Sequence, residues 1–305
     1  MESQKLNVLI VGAHTRLGAL IVKHTLAQPN LITNILIRDP KQSPELVDAV
    51  QKAGGRALFG NFFQLETLKD ITKGMHTVVS AIYPVEMKII VDGQIALIDD
   101  CIRNGVKRFV PSAFAGNIEG FPREELAELL SFEYYLKVMD HLQGKPIKTL
   151  QFWQGVFTES LFETFEAKIK DFGYWGNPEH KYDLTTYEDT AKVVAAAVAD
   201  ENRAGDVVIV GQSLVIKEIA EIYNRVRRVN VTPKQFGSLD DLKAKWVEAR
   251  KANNESPETL LLGNLAYLFD DGGEFRANNN AEFPGVQWTT VEEVLTQNAE
   301  LKLPS

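Results

Sequence analysis

The sequence predicts an α/β protein whose first half forms a doubly wound parallel sheet. Short apolar runs alternate with helical segments through this half of the chain. Uninterrupted apolar runs are typical of strands that are covered on both faces, and parallel strands require helical crossovers. Small or polar residues close the runs, which places them at the carboxyl edge of the predicted sheet. In doubly wound sheets this edge carries the ligand crevice.

The elements of this first half follow in order along the chain. We predict strands at Leu6–Val11, Asn34–Ile37, Ala57–Phe59, Thr77–Ile82 and Arg108–Val110. We predict helices at Leu17–Leu26, from Ser43 to Gly54, at Thr67–Thr72 and at Ile89–Arg103. Because Ala81 and Ser112 fall at the ends of the fourth and fifth strands, we expect both residues to border a bound ligand.

Helical segments dominate the second half of the chain. We predict helices at Glu124–Gln143, Asp189–Asp200, Asp240–Lys251, Ser256–Phe269 and Thr290–Gln297, and one that Gln212 and Ser213 cap and that reaches Arg228. Strands are predicted around Thr149–Trp153 and at Val207–Val210. The chain therefore divides into a Rossmann-type domain at residues 1–155, completed by about 184–212, and a smaller, mostly helical substrate-binding region at 156–183 and 213–305.

The composition excludes several classes of function. The 305 residues include 33 basic and 41 acidic side chains, and the resulting net charge of −8 argues against a nucleic-acid-binding surface. Cys101 is the single cysteine, and the five histidines lack ligand spacing, so we expect neither a disulfide framework nor a metal site. The sequence shows no secretory signal and no apolar stretch long enough to span a membrane. We expect a cytoplasmic monomer or homodimer that binds a small molecule.

A glycine-containing turn joins the first predicted strand to the first helix. Gly12 permits the tight turn, and Gly18 lets the helix pack closely on the strand. The helix N-terminus offers backbone N–H groups to a pyrophosphate. Thr15 stands where such loops often have a middle glycine, and we expect its hydroxyl to donate to a phosphate oxygen. The predicted phosphate-binding residues are Gly12, His14, Thr15, Arg16, Leu17 and Gly18.

The residues after the second strand predict which dinucleotide binds. A dehydrogenase specific for NAD usually carries an acid at this position, and the acid binds the ribose 2′-hydroxyl. Here Arg38 comes first, Asp39 follows, and Lys41 is close by. A guanidinium can hold a 2′-phosphate through two parallel hydrogen bonds. We therefore predict NADP(H) rather than NAD(H) as the cofactor, bound with the help of Arg38 and Lys41.

Several segments together resemble the NmrA-like and isoflavone reductase-like branch of the atypical short-chain dehydrogenases. They are VGAHTRLG (Val11–Gly18), ILIRDP (Ile35–Pro40), VVSAIYP (Val78–Pro84), GVKRFVPSAF (Gly105–Phe114), WQGVFTE (Trp153–Glu159), YEDTAKVVAAAV (Tyr187–Val198) and VVIVGQSLVIKEIAEI (Val207–Ile222). The resemblance implies an NADPH-binding Rossmann domain and a small C-terminal domain that closes over the nicotinamide.

The same resemblance implies where the nicotinamide and the substrate bind. Tyr83, Phe114 and Phe157 fall where the family packs the nicotinamide and the substrate ring. We expect Trp153 and Trp175 to extend this pocket. Ser112 is expected to hydrogen-bond to cofactor or substrate.

A lysine supplies the proton in reductases of this branch. No tyrosine of the chain begins a Tyr-x-x-x-Lys pattern, so the acid must be sought elsewhere. We assign this role to Lys137, at the margin of the apolar stripe of its helix. Counting back from Thr149 with the family's spacing instead gives a position nearer Tyr134, which we expect to contact the substrate.

Two functions from different classes follow. The first is an NADPH-dependent reductase of a small aromatic or conjugated metabolite, with alkaloids among the substrates considered, in secondary-metabolite biosynthesis. Such an enzyme would receive its hydride from the cofactor and its proton from Lys137 or water, and it could also guide cyclisation of the reduced product. The second is an NAD(P)-sensing regulatory protein that binds the dinucleotide without turnover.

Overall fold

The computed structural model describes residues 5–39, 41, 43–82, 87–168 and 172–301, without the side chains of residues 87–90, 130–131 and 166–168. Its strands are β1 (Leu6–Val11), β2 (Leu31–Ile37), β3 (Ala57–Phe59), β4 (Thr77–Ser80), β5 (Arg108–Val110), β6 (Lys148–Trp153), β7 (Val156–Phe157), β8 (Gly173–Trp175), β9 (Lys181–Thr185), β10 (Gly205–Val208), β11 (Gln212–Val215) and β12 (Lys234–Gly237). Its α-helices are α1 (Arg16–Leu26), α2 (Pro44–Lys52), α3 (Met87–Arg103), α4 (Arg123–Glu128), α5 (Leu130–Leu142), α6 (Thr158–Lys168), α7 (Tyr187–Ala199), α8 (Ile216–Arg227), α9 (Leu239–Ala252), α10 (Pro257–Leu268) and α11 (Val291–Gln297). Among the described helices, none combines the length and the apolar character needed to cross a membrane.

A seven-stranded sheet has the order β10-β6-β5-β4-β1-β2-β3. Strands β1 to β6 pair in parallel, and β1 lies between β2 and β4. The chain thus builds outward from β1 in one direction and then, from β4 onward, in the other. Doubly wound sheets bind their ligands beyond the carboxyl ends of the strands at this reversal point. The predicted α/β fold with a Rossmann-type sheet is confirmed.

Burial on both faces explains the uninterrupted apolar character of the central strands. In β1, the side chains from Val8 to Val11 are buried, and in β4 all four residues are buried. Helices α3 and α5 cover one face, where Cys101 and Val138 share a core with Phe109 of β5. Burial of each large apolar side chain stabilises the fold by about 1.5–3 kcal/mol.

Close contacts between Cα atoms group the chain into two compact units. The first holds the residues up to 113 together with 134–152 and 190–207, and the second holds 114–133, 153–189 and the residues from 208 onward. The second unit has a three-stranded sheet, β11-β9-β7, and a two-stranded sheet, β12-β8, besides its helices. Its core is rich in phenylalanine, with Phe162, Phe165, Phe172 and Phe269 all buried.

Two segments in the second half of the chain differ from their predicted secondary structure because tertiary contacts decide them. The helix predicted at Glu124–Gln143 is two helices, since Leu129 takes an extended conformation and packs its buried side chain against α10 at Gly263. Gln212 and Ser213 do not cap a helix; they begin β11, which pairs antiparallel with β9. The helix that follows starts at Ile216.

A buried arginine joins the amino end of the sheet to the end of α7. Arg108, the first residue of β5, has only 1% of its surface exposed. Its guanidinium donates to the carbonyl oxygens of Val198, Asp200 and Arg203 at 2.7 Å and to the hydroxyl oxygen of Thr77 at 3.2 Å. The last carbonyl groups of a helix have no partner within the helix. A guanidinium carries five N–H donors and no acceptor, so Arg108 stabilises the end of α7 by donating hydrogen bonds to several of these carbonyl oxygens.

Candidate dinucleotide-binding site

The turn between β1 and α1 brings the chain very close to the end of β4. Gly12 has a φ of +83°, and a Cβ atom there would stand 2.5 Å from the carbonyl oxygen of Ala81. A Cβ atom at Gly18 would stand 2.1 Å from the carbonyl oxygen of Gly12. Both positions therefore require glycine, and the turn forms a cradle at the reversal point of the sheet. The first turn of α1 presents backbone N–H groups that the helix itself cannot satisfy, which is a favourable arrangement for an anion.

Thr15 serves this turn in a way that the sequence did not predict. Its hydroxyl donates to the carbonyl oxygen of Ala81 at 2.8 Å and accepts from the backbone N–H of Gly18 at 3.0 Å. Thr15 is thus the N-cap of α1 and ties the turn to the end of β4. In this structure the hydroxyl proton is directed to Ala81, and a bond from Thr15 to a phosphate stays a prediction. The bond to Ala81 forms because glycine at position 12 permits a short distance between the two segments.

The other residues of the loop divide between surface and core. His14 and Arg16 are exposed, and Leu17 is buried beneath the turn. The imidazole of His14 is partly desolvated, and this desolvation, followed by the positive charge of Arg38, lowers its pKa from the ordinary value. Arg38 therefore lies within electrostatic reach of the loop, which places a cation on the side of the cradle where β2 ends.

Arg38 is exposed directly after the last residue of β2. Asp39 is also exposed, and its carboxylate accepts the backbone N–H of Lys41 at 2.9 Å. This bond fixes a turn that carries the exposed Lys41 on from Arg38. The chain thus presents two cationic side chains, separated by three positions, beyond the end of β2.

The ends of β4 and β5 hold the two remaining predicted residues of this edge. The backbone N–H of Ala81 donates to the carbonyl oxygen of Val11 at 2.8 Å, which continues the pairing of β4 with β1. Ser112 donates its hydroxyl to the carbonyl oxygen of Ile82 at 2.8 Å, and its backbone N–H donates to the side-chain oxygen of Gln94 at 3.0 Å. Gln94 was not singled out in the sequence, because only the fold shows that α3 reaches the end of β5. Tyr83 lies outside the described residues.

The predicted proton donor lies on α5. Lys137 is exposed, whereas Leu136 and Val138 on either side are buried. Its ammonium group is 4.9 Å from the ring centroid of Tyr134, one turn earlier, so the two residues that the family's spacing left open are in contact. Tyr135 faces the sheet instead and donates its hydroxyl to Gln151 of β6. Burial and the charge of Asp206 raise the pKa of Tyr135, which keeps this phenol protonated.

The predicted aromatic residues of the second unit lie in three places. Phe114 has a φ of +41°, a rare conformation for a bulky residue, and the next residue, Ala115, bridges to Trp153 at the end of β6. Phe157 of β7 stacks on Tyr187 with 3.8 Å between the ring centroids. Trp175 of β8 packs against the rings of other residues, Phe236 and Phe269.

Tyr187 is a residue that the sequence analysis did not select for this region. Besides its stacking on Phe157, its hydroxyl lies 2.8 Å from the hydroxyl of Ser160. The carboxylate of Glu159, which is buried, accepts its backbone N–H at 3.4 Å. These contacts join α6 to the start of α7. In the sequence, the only indication of this region was that Phe157 and Tyr187 lie in two of the segments that resemble the family. Their stacking could not be predicted, because it depends on the fold.

The residues at the carboxyl edge of the sheet fit a phosphorylated dinucleotide. Gly12 and Gly18 allow the turn to pack directly against backbone, the N-terminus of α1 favours a negative charge, and Arg38 adds a cation near the loop. The exposed pair of Arg38 and Lys41 is chemically suited to a ribose 2′-phosphate.

A comparison with models of protein families identifies the family of this chain. The family model described as the NmrA-like family matches residues 4–295. No curated protein sequence matches.

Solved structures with the same fold include two reductases and a protein bound to NADP+. AtPrR2, with NADP+ and (+)pinoresinol, has a TM-score of 0.78 and 20% identity, over 97% of this chain and 99% of that one. Leucoanthocyanidin reductase from Vitis vinifera, with NADPH, has a TM-score of 0.77 and 21% identity, over 95% and 98%. An isoflavone reductase has a TM-score of 0.75 and 19% identity, over 96% and 99%. The family model spans almost the whole chain, and the protein belongs to the NmrA-like family.

Proposed function

We propose that this protein is an NADPH-dependent oxidoreductase that reduces a small aromatic or conjugated metabolite. The observation that carries the proposal is the cradle between Gly12 and Gly18, where a Cβ atom would collide with backbone at either glycine. Such a close approach of backbone to the helix N-terminus suits a pyrophosphate. The likeness to solved reductases that contain NADP+ or NADPH supports the same cofactor for this chain.

The preference for NADPH over NADH rests on the residues after β2. Arg38 stands where enzymes specific for NADH carry an acid. Its positive charge helps to lower the pKa of His14 in the loop. A guanidinium holds a phosphate with two hydrogen bonds, whereas an acid would repel it. Lys41 adds a second cation on the same turn. We therefore propose that both side chains bind the 2′-phosphate.

The chemistry divides between the cofactor and the chain. Bound NADPH supplies the hydride. Ser112 and Phe114 follow the end of β5, and we propose that they orient the reacting groups there. We propose Lys137 as the donor of the proton from its Nζ atom, with water as the second source that the test below distinguishes.

Aromatic side chains suggest the class of substrate. Phe114, Trp153, Phe157 and Trp175 remain our proposed contacts to a planar, conjugated ring, since aromatic rings favour offset stacking or edge-to-face packing with other rings. Tyr134 remains a proposed contact as well. A substrate of this kind fits a step of secondary metabolism, with alkaloids included, in which the same contacts guide cyclisation of the reduced product. We propose a cytoplasmic monomer or homodimer as the acting form.

The experiment that tests the proposal follows NADPH absorbance with a panel of aromatic and conjugated carbonyl, imine and alkene compounds. The expected result is oxidation of NADPH that depends on both enzyme and substrate. Binding of NADPH in a calorimetric titration without oxidation by any compound would favour the regulatory function instead. Absence of binding would contradict both functions.

The role of Lys137 requires a separate comparison. In Lys137→Ala we expect the rate at saturating substrate to fall about 100-fold, the usual contribution of a positioned acid. Tyr134→Phe keeps the ring beneath the ammonium group and serves as the matched variant, with an expected loss below about threefold. An undiminished rate in Lys137→Ala with a large loss in Tyr134→Phe would move the proton-donating role to Tyr134. Undiminished rates in both variants would favour water.

A further inference from the structure

The second unit brings together three side chains that bind metal ions in proteins. The Nδ1 atom of His180 lies 3.0 Å from a carboxylate oxygen of Asp271 and 3.6 Å from one of Glu274. One donor atom from each residue can be chosen so that all three lie within 4.8 Å of one another. Among the residues that the structure describes, this is the one such group of three or more.

The sequence could not predict this group because its members are far apart along the chain. His180 directly precedes β9, whereas Asp271 and Glu274 follow α10, more than ninety positions later. The expectation of no metal site rested on the spacing of histidines, which detects only ligands that are close in sequence.

Each carboxylate is already oriented by a neighbour outside the group. The side-chain amide of Asn177 donates to Asp271 at 3.1 Å, on the oxygen that does not face His180. The backbone N–H of Lys181 donates at 2.8 Å to Oε1 of Glu274, the same oxygen that lies 3.6 Å from His180. Outer hydrogen bonds of this kind fix the ligands of metal sites and contribute to their affinity.

Burial differs among the three donors in a way that suits a bound ion. The side chain of His180 is only 5% exposed, and its ring packs edge-to-face against Tyr182. The side chain of Asp271 is 58% exposed and that of Glu274 36%. One donor is therefore fixed within the protein while the other two border solvent, which gives an ion a route of entry and leaves a coordination position for water.

We propose that His180, Asp271 and Glu274 form a binding site for a first-row divalent cation, and that zinc is the ion they fit best. Zinc accepts imidazole nitrogen and carboxylate oxygen at about 2.0–2.2 Å and is often held by three protein ligands and one water. Calcium and magnesium prefer sites made of oxygen alone. When the ion occupies Nδ1, the ring proton resides on Nε2 and the hydrogen bond to Asp271 is replaced by shared coordination. The ion then links the segment before β9 to the segment after α10.

A second histidine–carboxylate pair provides a control within the same chain. His141 lies 2.7 Å from Asp99, a shorter distance than that between His180 and Asp271. In the described part of the chain no third donor joins this pair. A pair that only forms a hydrogen bond and a group that binds an ion can thus be compared under identical conditions.

The test is a calorimetric titration of the full-length protein, stripped with a chelator, with zinc chloride, accompanied by thermal melting. We expect one zinc ion per chain and a rise in melting temperature with zinc. Asp271→Asn, an exposed position that should not disturb folding, should weaken the affinity by at least about tenfold. His180→Gln should do the same, with circular dichroism to confirm that it folds. His141→Gln should leave zinc binding unchanged.

Two results would overturn the proposal. One is the absence of zinc binding, or zinc binding of equal affinity in the wild type and in Asp271→Asn, which would leave His180 and Asp271 as a simple hydrogen-bonded pair. The other is magnesium or calcium binding as tightly as zinc, which would show that the imidazole does not act as a ligand. Neither outcome depends on NADPH or on enzymatic activity.

Discussion

Two arginines stand at opposite ends of the parallel sheet and use the same guanidinium in opposite ways. Arg38 follows the carboxyl end of β2 and is exposed, whereas Arg108 begins β5 and is 1% exposed. The donors of Arg108 are consumed by carbonyl oxygens at the end of α7. The side chain of Arg38 is instead exposed to solvent. One end of the sheet is thus closed by the protein's own acceptors, and we propose that a ligand supplies the acceptors at the other end.

The protonation of Arg108 and the effect of Arg38 on His14 support this difference between the two arginines. Burial lowers the pKa of Arg108 to about 10, so its guanidinium is still protonated at neutral pH and keeps all of its donors. Its charge is balanced by carbonyl dipoles within the fold. Arg38 is exposed, and its positive charge helps to lower the pKa of His14.

The largest effect is expected from removal of the buried arginine. Arg108→Met keeps much of the apolar volume but leaves the carbonyls of Val198, Asp200 and Arg203 without their donor. We expect the free energy of unfolding to fall by about 3–5 kcal/mol, since each buried polar group left unsatisfied costs about 1–3 kcal/mol. Chemical denaturation measures this change.

Arg38→Met is the matched control for this measurement. A surface substitution of this kind changes stability by less than about 0.5 kcal/mol. Similar losses of stability in the two variants would show that the two ends of the sheet do not differ as described.

The next effect concerns the close approach at Gly12. Gly12→Ala meets the carbonyl oxygen of Ala81 and must also adopt a positive φ. Gly54→Ala shares the positive φ, at +85°, but nothing lies within 4 Å of its Cβ position. The strain common to both variants is about 1–2 kcal/mol. We expect Gly12→Ala alone to lose NADPH binding in a calorimetric titration, and equal binding by both variants would contradict the cradle.

A charge reversal at Arg38 sharpens the comparison of the two ends further. Arg38→Asp should weaken NADPH binding by about 10- to 100-fold, since hydrogen bonds to charged groups contribute about 1.5–3 kcal/mol, and it should favour NADH. Arg56→Asp makes the same change of charge just before β3, at the amino end of the sheet, and should leave the ratio of affinities unchanged. An equal shift in both variants would mean that only the total charge matters.

The smallest effect is a dependence on pH. Desolvation, followed by the charge of Arg38, lowers the pKa of His14 in the folded protein, so its imidazole takes up a proton less readily than in the unfolded chain. A bound phosphate would raise this pKa, so NADPH binding should strengthen as the pH falls, by at most about tenfold for each unit of pKa increase. His14→Gln should remove this part of the dependence. An identical pH profile in the two proteins would exclude His14 from the phosphate site.

Local patterns made the fold and the glycine turn after β1 predictable from the sequence. Gly12 and Gly18 follow a buried strand at fixed distances, and Arg38 follows the next one, so neighbours in sequence carried the information. The pairing of Thr15 with Ala81 was not predictable, because it joins residues 66 positions apart. The same holds for Arg108, whose acceptors lie about ninety positions away, and for His180 with Asp271.

Helix boundaries show the same limit at shorter range. The apolar spacing of residues 124–143 predicted one helix, but Leu129 leaves the helical conformation to pack on α10. At Asp70 and Thr72 the predicted helix gives way to turns, whose backbone N–H groups donate to the carboxylate of Asp100 at 2.7 and 3.0 Å. In both places a distant partner outweighs local propensity.

The most direct test is a pair of calorimetric titrations, NADPH and NADH into the purified wild-type protein at one ionic strength. The account predicts one site per chain, with a dissociation constant for NADPH at least about tenfold lower than that for NADH. Absence of heat with either nucleotide, with no change in melting temperature, would contradict it.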